Sequence, residues 1–265
     1  MFSYITICTD DTYVPGVIAL NKSLHMVASK YNLNVLVDPL SVSENCIRHL
    51  KNADVSVIFA EHVEINDYIR KQNTLNQSPN WSNTLFKLRI FGLEQFDKII
   101  YLDSDMIIIQ NIDSLFSLEH MTSVQAGNMF DNSWVKLNSG LMVVHPKKQL
   151  EEELIALLSS EFLNQMLNGK GIGDQDVINW YYSDWPQISK LHLPESYNQF
   201  VTLLPQYQHY GYLHNLNDVY VLHYVGKTKP WNYGLCEYLH LIARALRWRS
   251  ILEIKAVCIF WKIIG

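Results

Sequence analysis

The stretch KIIYLDSDMIII (Lys98–Ile109) sets two carboxylates, Asp103 and Asp105, between two apolar runs that read as buried strands. A lone buried carboxylate loses several kcal/mol of solvation, and two of them two residues apart also repel. A divalent cation offsets both charges at once, and hard oxygen ligands suit Mg²⁺ or Mn²⁺. A solvated loop between strands is the simpler reading of a bare D-x-D. The flanking runs Ile99–Leu102 and Met106–Ile109 favour the cation.

Upstream, strand-like and helix-like patterns alternate. Phe2–Thr9 reads as a strand ending at the turn signal Asp10-Asp11. Val14–Ser29 follows as a helix with Val17, Leu20, Leu24 and Val27 at helical spacing. Asn34–Val37 and Val55–Phe59 read as strands, Ser41–Lys51 as a helix capped by Ser41 or Ser43, and Asn83–Phe96 as an amphipathic helix. Downstream, Ser123–Asn128 and Gly140–His145 read as strands, Leu150–Leu167 and Val177–Tyr182 as helices, and Asp218–Val225 as a last strand. This alternation predicts an α/β fold with a mostly parallel sheet. Ligands of such sheets lie at the carboxyl ends of strands, where both Asp10-Asp11 and Asp103/Asp105 fall.

The 265 residues suffice for one large domain or two small ones. A net charge of −5 does not argue for nucleic acid. Cys8, Cys46, Cys236 and Cys258 are scattered and read as reduced core thiols of a cytosolic protein. The N-terminus MFSYITICTDD lacks the basic region and cleavage site of a signal peptide. No charge-free run is long enough to span a bilayer.

Several motifs fail. VGKTK would need Gly at position 221, which is Val, and a helix where Pro230 stands. GKGIG (Gly169–Gly173) lacks the strand of a dinucleotide fingerprint. Aspartate-nucleophile phosphatases also place D-x-D after a strand, and GDQD (Gly173–Asp176) resembles their later acidic motif. Their D-x-D, however, sits on the first strand of the core.

Five separated pieces then fit together: TICTDDTY (Thr6–Tyr13), Lys87, YLDSD (Tyr101–Asp105), NSG with GDQD (Asn138–Gly140, Gly173–Asp176), and HYVGKTKPW (His223–Trp231). Their order and spacing resemble glycosyltransferase family 8, which includes glycogenin and bacterial lipopolysaccharide galactosyl- and glucosyltransferases. The resemblance covers about Phe2–Tyr233. It implies a single Rossmann-like nucleotide-sugar-binding domain of glycosyltransferase A type, residues 1–234, with a C-terminal amphipathic helical tail, 235–265.

It further implies a retaining hexosyl transfer from UDP-glucose or UDP-galactose to a saccharide or lipid-linked acceptor. The implied metal is Mn²⁺, with Mg²⁺ as the alternative, held by Asp103, Asp105 and His223. By the same resemblance Lys229 and Gly226 serve the diphosphate; Ile7, Thr9, Asp10 and Tyr13 the nucleoside; and Ser104 the ribose. Lys87 and Asn138 fall around the donor sugar, where Asp174 would hold hydroxyls and Gln175 would lie nearest the anomeric carbon. Gln175 is a poor nucleophile, which favours a front-face, dissociative route over double displacement. Glycogenin glucosylates its own tyrosine; the corresponding region falls near Pro205, where Tyr207 and Tyr210 are close but neither matches residue for residue, so self-glucosylation is not expected. A silent sugar-nucleotide-binding protein is the remaining alternative.

Leu241–Ile264 (LIARALRWRSILEIKAVCIFWKII) lies beyond that pattern. Plotted as one helix, Arg244, Arg247, Lys255 and Lys262 share an arc and most of the rest is apolar. Two readings follow: a helix packed on the domain with a solvated basic stripe, or an interfacial helix on the cytoplasmic face of the plasma membrane.

Overall fold

The structure is a computed structural model that describes all residues except 126, 128 and 160–169. Among the described residues, seven strands form the main sheet: β1 (Phe2–Cys8), β2 (Leu33–Val37), β3 (Ser56–Phe59), β4 (Lys98–Leu102), β6 (Ser123–Gln125), β7 (Leu137–Val144) and β8 (His192–Leu193). Their spatial order is β3-β2-β1-β4-β7-β6-β8. The first four run parallel, and β7 is antiparallel to both β4 and β6. Both faces are buried, so β4 can be apolar from Ile99 to Leu102. Ile99 and Tyr101 enter one core cluster, Ile100 and Leu102 the other.

Against the second face lie helices α1 (Val14–Met26) and α2 (Glu44–Asn52), the latter capped by the Ser43 hydroxyl accepting from the Cys46 amide. The first face is covered by α3 (Asp67–Leu75), α4 (Trp81–Thr84), a 3-10 segment at Leu85–Gly92, α5 (Lys148–Ala156) and α6 (Asp174–Tyr181). A small second sheet joins β5 (Met106–Ile108), β9 (Gln199–Phe200) and β10 (Val221–His223), with β10 central and antiparallel to β5. Beneath it sit α7 (Leu204–His209) and α9 (Leu252–Ile264), and α8 (Leu235–Trp248) packs against these two helices.

Three expectations need correction. Asn83–Phe96 is not one amphipathic helix, because Leu85, Phe86, Lys87, Leu88, Ile90 and Phe91 are all buried. A helix with one apolar stripe cannot bury consecutive residues on several sides; a short α-turn followed by 3-10 winding does so here. The Leu241–Ile264 stretch is two helices. Arg249 adopts φ 52° as the left-handed cap of α8, so the four cations do not share one wheel. Cys236 and Cys258 are exposed rather than core thiols, and all four cysteines are free. The part of the Leu150–Leu167 helix beyond Ser159, and positions 126 and 128 of the Ser123–Asn128 strand, lie outside the described residues.

Candidate active site

The polypeptide makes a tight turn at Asp103–Met106, where the Met106 amide donates to the Asp103 carbonyl. The Asp103 amide donates to the Gly140 carbonyl of β7, and the Tyr224 amide to the Asp105 carbonyl. These bonds, with the β5/β10 register, bring His223 to the two aspartates. One ligand atom from each of Asp103, Asp105 and His223 falls within 4.8 Å of the others. His223 Nε2 is 3.1 Å from Asp105 Oδ1 and 3.7 Å from Asp103 Oδ2. A proton or a cation must lie among such converging electron pairs.

Two buried ammonium groups flank these residues. Lys229 Nζ is 2.5 Å from Asp105 Oδ2. Lys87 Nζ bridges Asp103 Oδ1 at 2.9 Å and Asp174 Oδ2 at 2.6 Å, 4.8 Å above the Tyr101 ring. Ser139 donates its hydroxyl to Asp174 Oδ2 at 2.7 Å and its amide to Gln175 Oε1 at 3.1 Å. Burial works against ionisation of Asp105, but His223 and Lys229 outweigh it and hold the carboxyl well below the usual range. Burial likewise opposes Asp174, and Lys87 with its hydrogen bonds again prevails. Burial alone would lower Lys87 and Lys229; their carboxylate partners instead push both up.

Three carboxylates (Asp103, Asp105, Asp174) therefore face two ammonium groups (Lys87, Lys229), one negative charge in excess. Two carboxylates and an imidazole, with that excess, fit a hard or borderline divalent cation.

These groups open into a cavity of about 530 Å³, and every candidate residue named from the sequence lines it. Ile7, Thr9 and Asp10 come from the end of β1, where Asp10 caps the following turn by accepting from the Thr12 amide at 2.8 Å. Tyr13 meets Trp231 edge-on, and the Trp231 indole donates to the Thr12 carbonyl at 2.8 Å. Gly16 permits this junction: a Cβ there would lie 2.3 Å from the Ser104 carbonyl oxygen. Gly226 has φ 120°, a conformation that demands glycine whatever the space around it.

Sequence reasoning passed over several participants. Ser139 lies inside the quoted NSG piece, yet only its neighbour Asn138 was singled out. Asn198, buried behind His223, is 2.7 Å from Nδ1. Trp81, Phe130 and Trp134 stand on the cavity wall. None carries a local pattern that marks it; only the fold assembles them.

Comparison with known proteins gives the family. Residues 4–234 match the model of the family described as Glycosyl transferase family 8. Glycogenin-1 of Mus musculus is 30% identical over 238 residues, which span 87% of this chain and 66% of the relative. Human glycogenin-1 is 29% identical, over 87% of this chain and 62% of the relative. The chain thus spans a little under two thirds of these relatives. Among solved structures, the galactosyltransferase LgtC, in complex with donor and acceptor sugar analogs, shares the fold with a TM-score of 0.57. Its identity is 17%, with 94% of both chains covered. The glycosyltransferase GlyE of Streptococcus pneumoniae TIGR4 gives a TM-score of 0.59 at 20% identity, over 97% of this chain and 64% of that one. The match over residues 4–234 takes in both the D-x-D turn and the K-P-W segment, and the chain belongs to glycosyltransferase family 8.

Proposed function

We propose that this enzyme transfers glucose or galactose from a UDP-sugar to a saccharide hydroxyl, with retention at the anomeric carbon and with Mn²⁺. The observation that carries the reading is the meeting of Asp103, Asp105 and His223 beside Lys229, in one cavity with Asp174 and Gln175. Asp103, Asp105 and His223 would hold the cation, which when bound offsets charge on the diphosphate. Lys229 adds a fixed positive charge where the leaving group gains negative charge. Tyr13 and the end of β1 receive the nucleoside.

Asp174 is ionised and already engaged by Lys87 and Ser139, so it suits hydroxyl recognition better than attack on carbon. The Gln175 carbonyl oxygen is held by the Ser139 amide. These contacts favour a front-face route. The bond between the anomeric carbon and the diphosphate oxygen breaks and the acceptor oxygen bonds that carbon. The acceptor proton passes to the departing phosphate.

Trp81 and Phe130 are exposed on the cavity wall, and Trp134 is half-buried. Aromatic faces beside hydrogen-bonding groups match the apolar face and hydroxyl rim of a pyranose, which supports a saccharide acceptor.

No helix among the described residues is long and apolar enough to cross a membrane. For the proposed cytoplasmic membrane face, the support lies on α8. Leu235, Leu239, Ile242 and Leu246 are exposed, and at about 100° per residue they share one narrow stripe.

The test is hydrolysis and thermal stabilisation with a panel of UDP-sugars in Mn²⁺. One UDP-hexose should raise the melting temperature and release UDP. Binding without turnover, with or without acceptor saccharides, would mark a silent protein. Inorganic phosphate released from phosphomonoesters would mark a phosphatase.

A further inference from the structure

One backbone group fixes the hydrogen-bond polarity behind the metal candidates. The Gly140 amide is 3.0 Å from Asn138 Oδ1. A backbone N–H can only donate, so the oxygen of Asn138, not its nitrogen, must occupy that position. The same oxygen is 2.7 Å from Asn198 Nδ2. Facing an acceptor, Asn198 presents its amide hydrogens there and turns its Oδ1 the other way, 2.7 Å from His223 Nδ1. A carbonyl oxygen accepts, so Nδ1 of His223 carries a proton. Nε2, the atom that faces Asp103 and Asp105, is left as the site for a cation or a second proton. At the other end, Asn138 lines the cavity, and its Nδ2 donates to none of the described residues.

We propose that Asn198 is a positioning residue that sets both ends of this relay. It holds His223 in the tautomer whose Nε2 can ligate a metal, and it holds Asn138 with its amide hydrogens available to the donor sugar. Asn198 is buried just before β9, which runs parallel to β10 with Phe200 opposite His223, so the sheet keeps the two side chains in register. Gly140 leaves room for the arrangement, because a Cβ there would lie 3.0 Å from both Asn138 Oδ1 and His223 Cε1. The sugar end rests on the donor reading given above; the tautomer end rests on geometry alone.

The test uses metal-free full-length protein with ¹⁵N-labelled histidine, its His223 signals assigned by their loss in His223→Asn. Followed to the alkaline end of a titration, wild-type His223 should keep its proton on Nδ1. Asn198→Ala should move that proton to Nε2 and weaken Mn²⁺ binding about 10- to 100-fold, read by electron paramagnetic resonance of free Mn²⁺. Asn198→Asp still accepts from Nδ1–H but cannot donate to Asn138. It should keep the tautomer and Mn²⁺ affinity within a few-fold while losing part of the preference for UDP-sugar over UDP.

A wild-type proton on Nε2, or an Asn198→Ala protein with unchanged tautomer and Mn²⁺ affinity, overturns the His223 end. If that variant does not fold, loss of the tautomer in Asn198→Asp overturns it instead. Full UDP-sugar preference in Asn198→Asp overturns the Asn138 end. If wild type binds no Mn²⁺, the metal reading falls, and the tautomer result still decides the role of Asn198.

Discussion

His223 lies directly opposite Met106 in the antiparallel β10/β5 pair, so the residue that follows Asp105 is locked to the one histidine of the cluster. Sequence distance is cancelled by a single strand register. A one-residue slip would turn the His223 ring to the other face and dismantle the cluster.

That geometry separates the two aspartates in a way that matters for testing the metal site. Asp105 is buried and is the carboxylate partner of Lys229; Asp105→Asn therefore leaves a buried ammonium unpaired, at a cost of about 3–5 kcal/mol. Asp103 is about a quarter exposed, and its partner Lys87 keeps Asp174. Asp103→Asn should thus lose Mn²⁺ binding and Mn²⁺-dependent turnover with only a small change in the urea midpoint measured in EDTA. Asp105→Asn should lose both activity and stability. Wild-type Mn²⁺ affinity in Asp103→Asn would remove that residue from the site.

Lys229 should act on the leaving group. In Mn²⁺-saturated enzyme, the cation offsets Asp105, so Lys229→Ala removes a charge from the site without stranding that carboxylate. Turnover should fall about 10²- to 10³-fold, the range for losing one transition-state donor, with a smaller change in UDP affinity. Steady-state kinetics with a direct UDP titration checks this. If only the donor KM rises, Lys229 binds the ground state and the assigned role is wrong.

Asp174 makes a pH prediction. Its folded carboxyl lies below the ordinary value of 3.8, to which unfolding returns it. The unfolded chain therefore binds more protons at low pH, so this contribution is complete at neutral pH and fades as pH falls through about 4 toward the folded value. Asp105 behaves in the same sense. Urea midpoints in EDTA should drop steeply below about pH 4, and Asp174→Asn should make that acid limb shallower. An unchanged slope would show that Asp174 is not ionised in the native protein.

Most of the site was legible because its parts have local signatures. The strand before Asp103 is apolar from Ile99 to Leu102 since both its faces are buried there, and H-x-x-G-x-x-K-P-W carries a fixed spacing. Asn198 and Ser139 have no such mark. Each is one polar residue whose meaning comes from contacts with residues 25 and 35 positions away. Segment Leu85–Gly92 hid its 3-10 winding because a helical pattern of apolar residues does not report which sides are covered. Arg249 hid the break in the tail, since a left-handed cap is usually written as glycine or asparagine and here is arginine.

The corrected tail leads to a different membrane test from truncation. Helix α9 is part of the core: Leu252, Ala256, Val257, Phe260 and Ile263 are buried, Tyr224 donates its hydroxyl to the Ala256 carbonyl at 2.6 Å, and the Phe260 ring lies tilted against Trp231, 5.5 Å between centroids. Glu253 within it is buried and accepts three hydrogen bonds from Arg244 of α8, at 2.6, 2.8 and 3.1 Å. Cutting the chain after Gly234 should therefore lower the melting temperature by many degrees and impair UDP-sugar hydrolysis through the Trp231–Tyr13 wall. The exposed stripe of α8 can be altered without touching that core. Leu239→Glu with Leu246→Glu places two charges where solvent already reaches, so stability and UDP-sugar hydrolysis should change little. Sedimentation with anionic vesicles at low salt should then separate the proteins: wild type pellets and the double variant stays in solution. Equal vesicle binding by both, at equal stability, would refute the assignment of a membrane surface to α8.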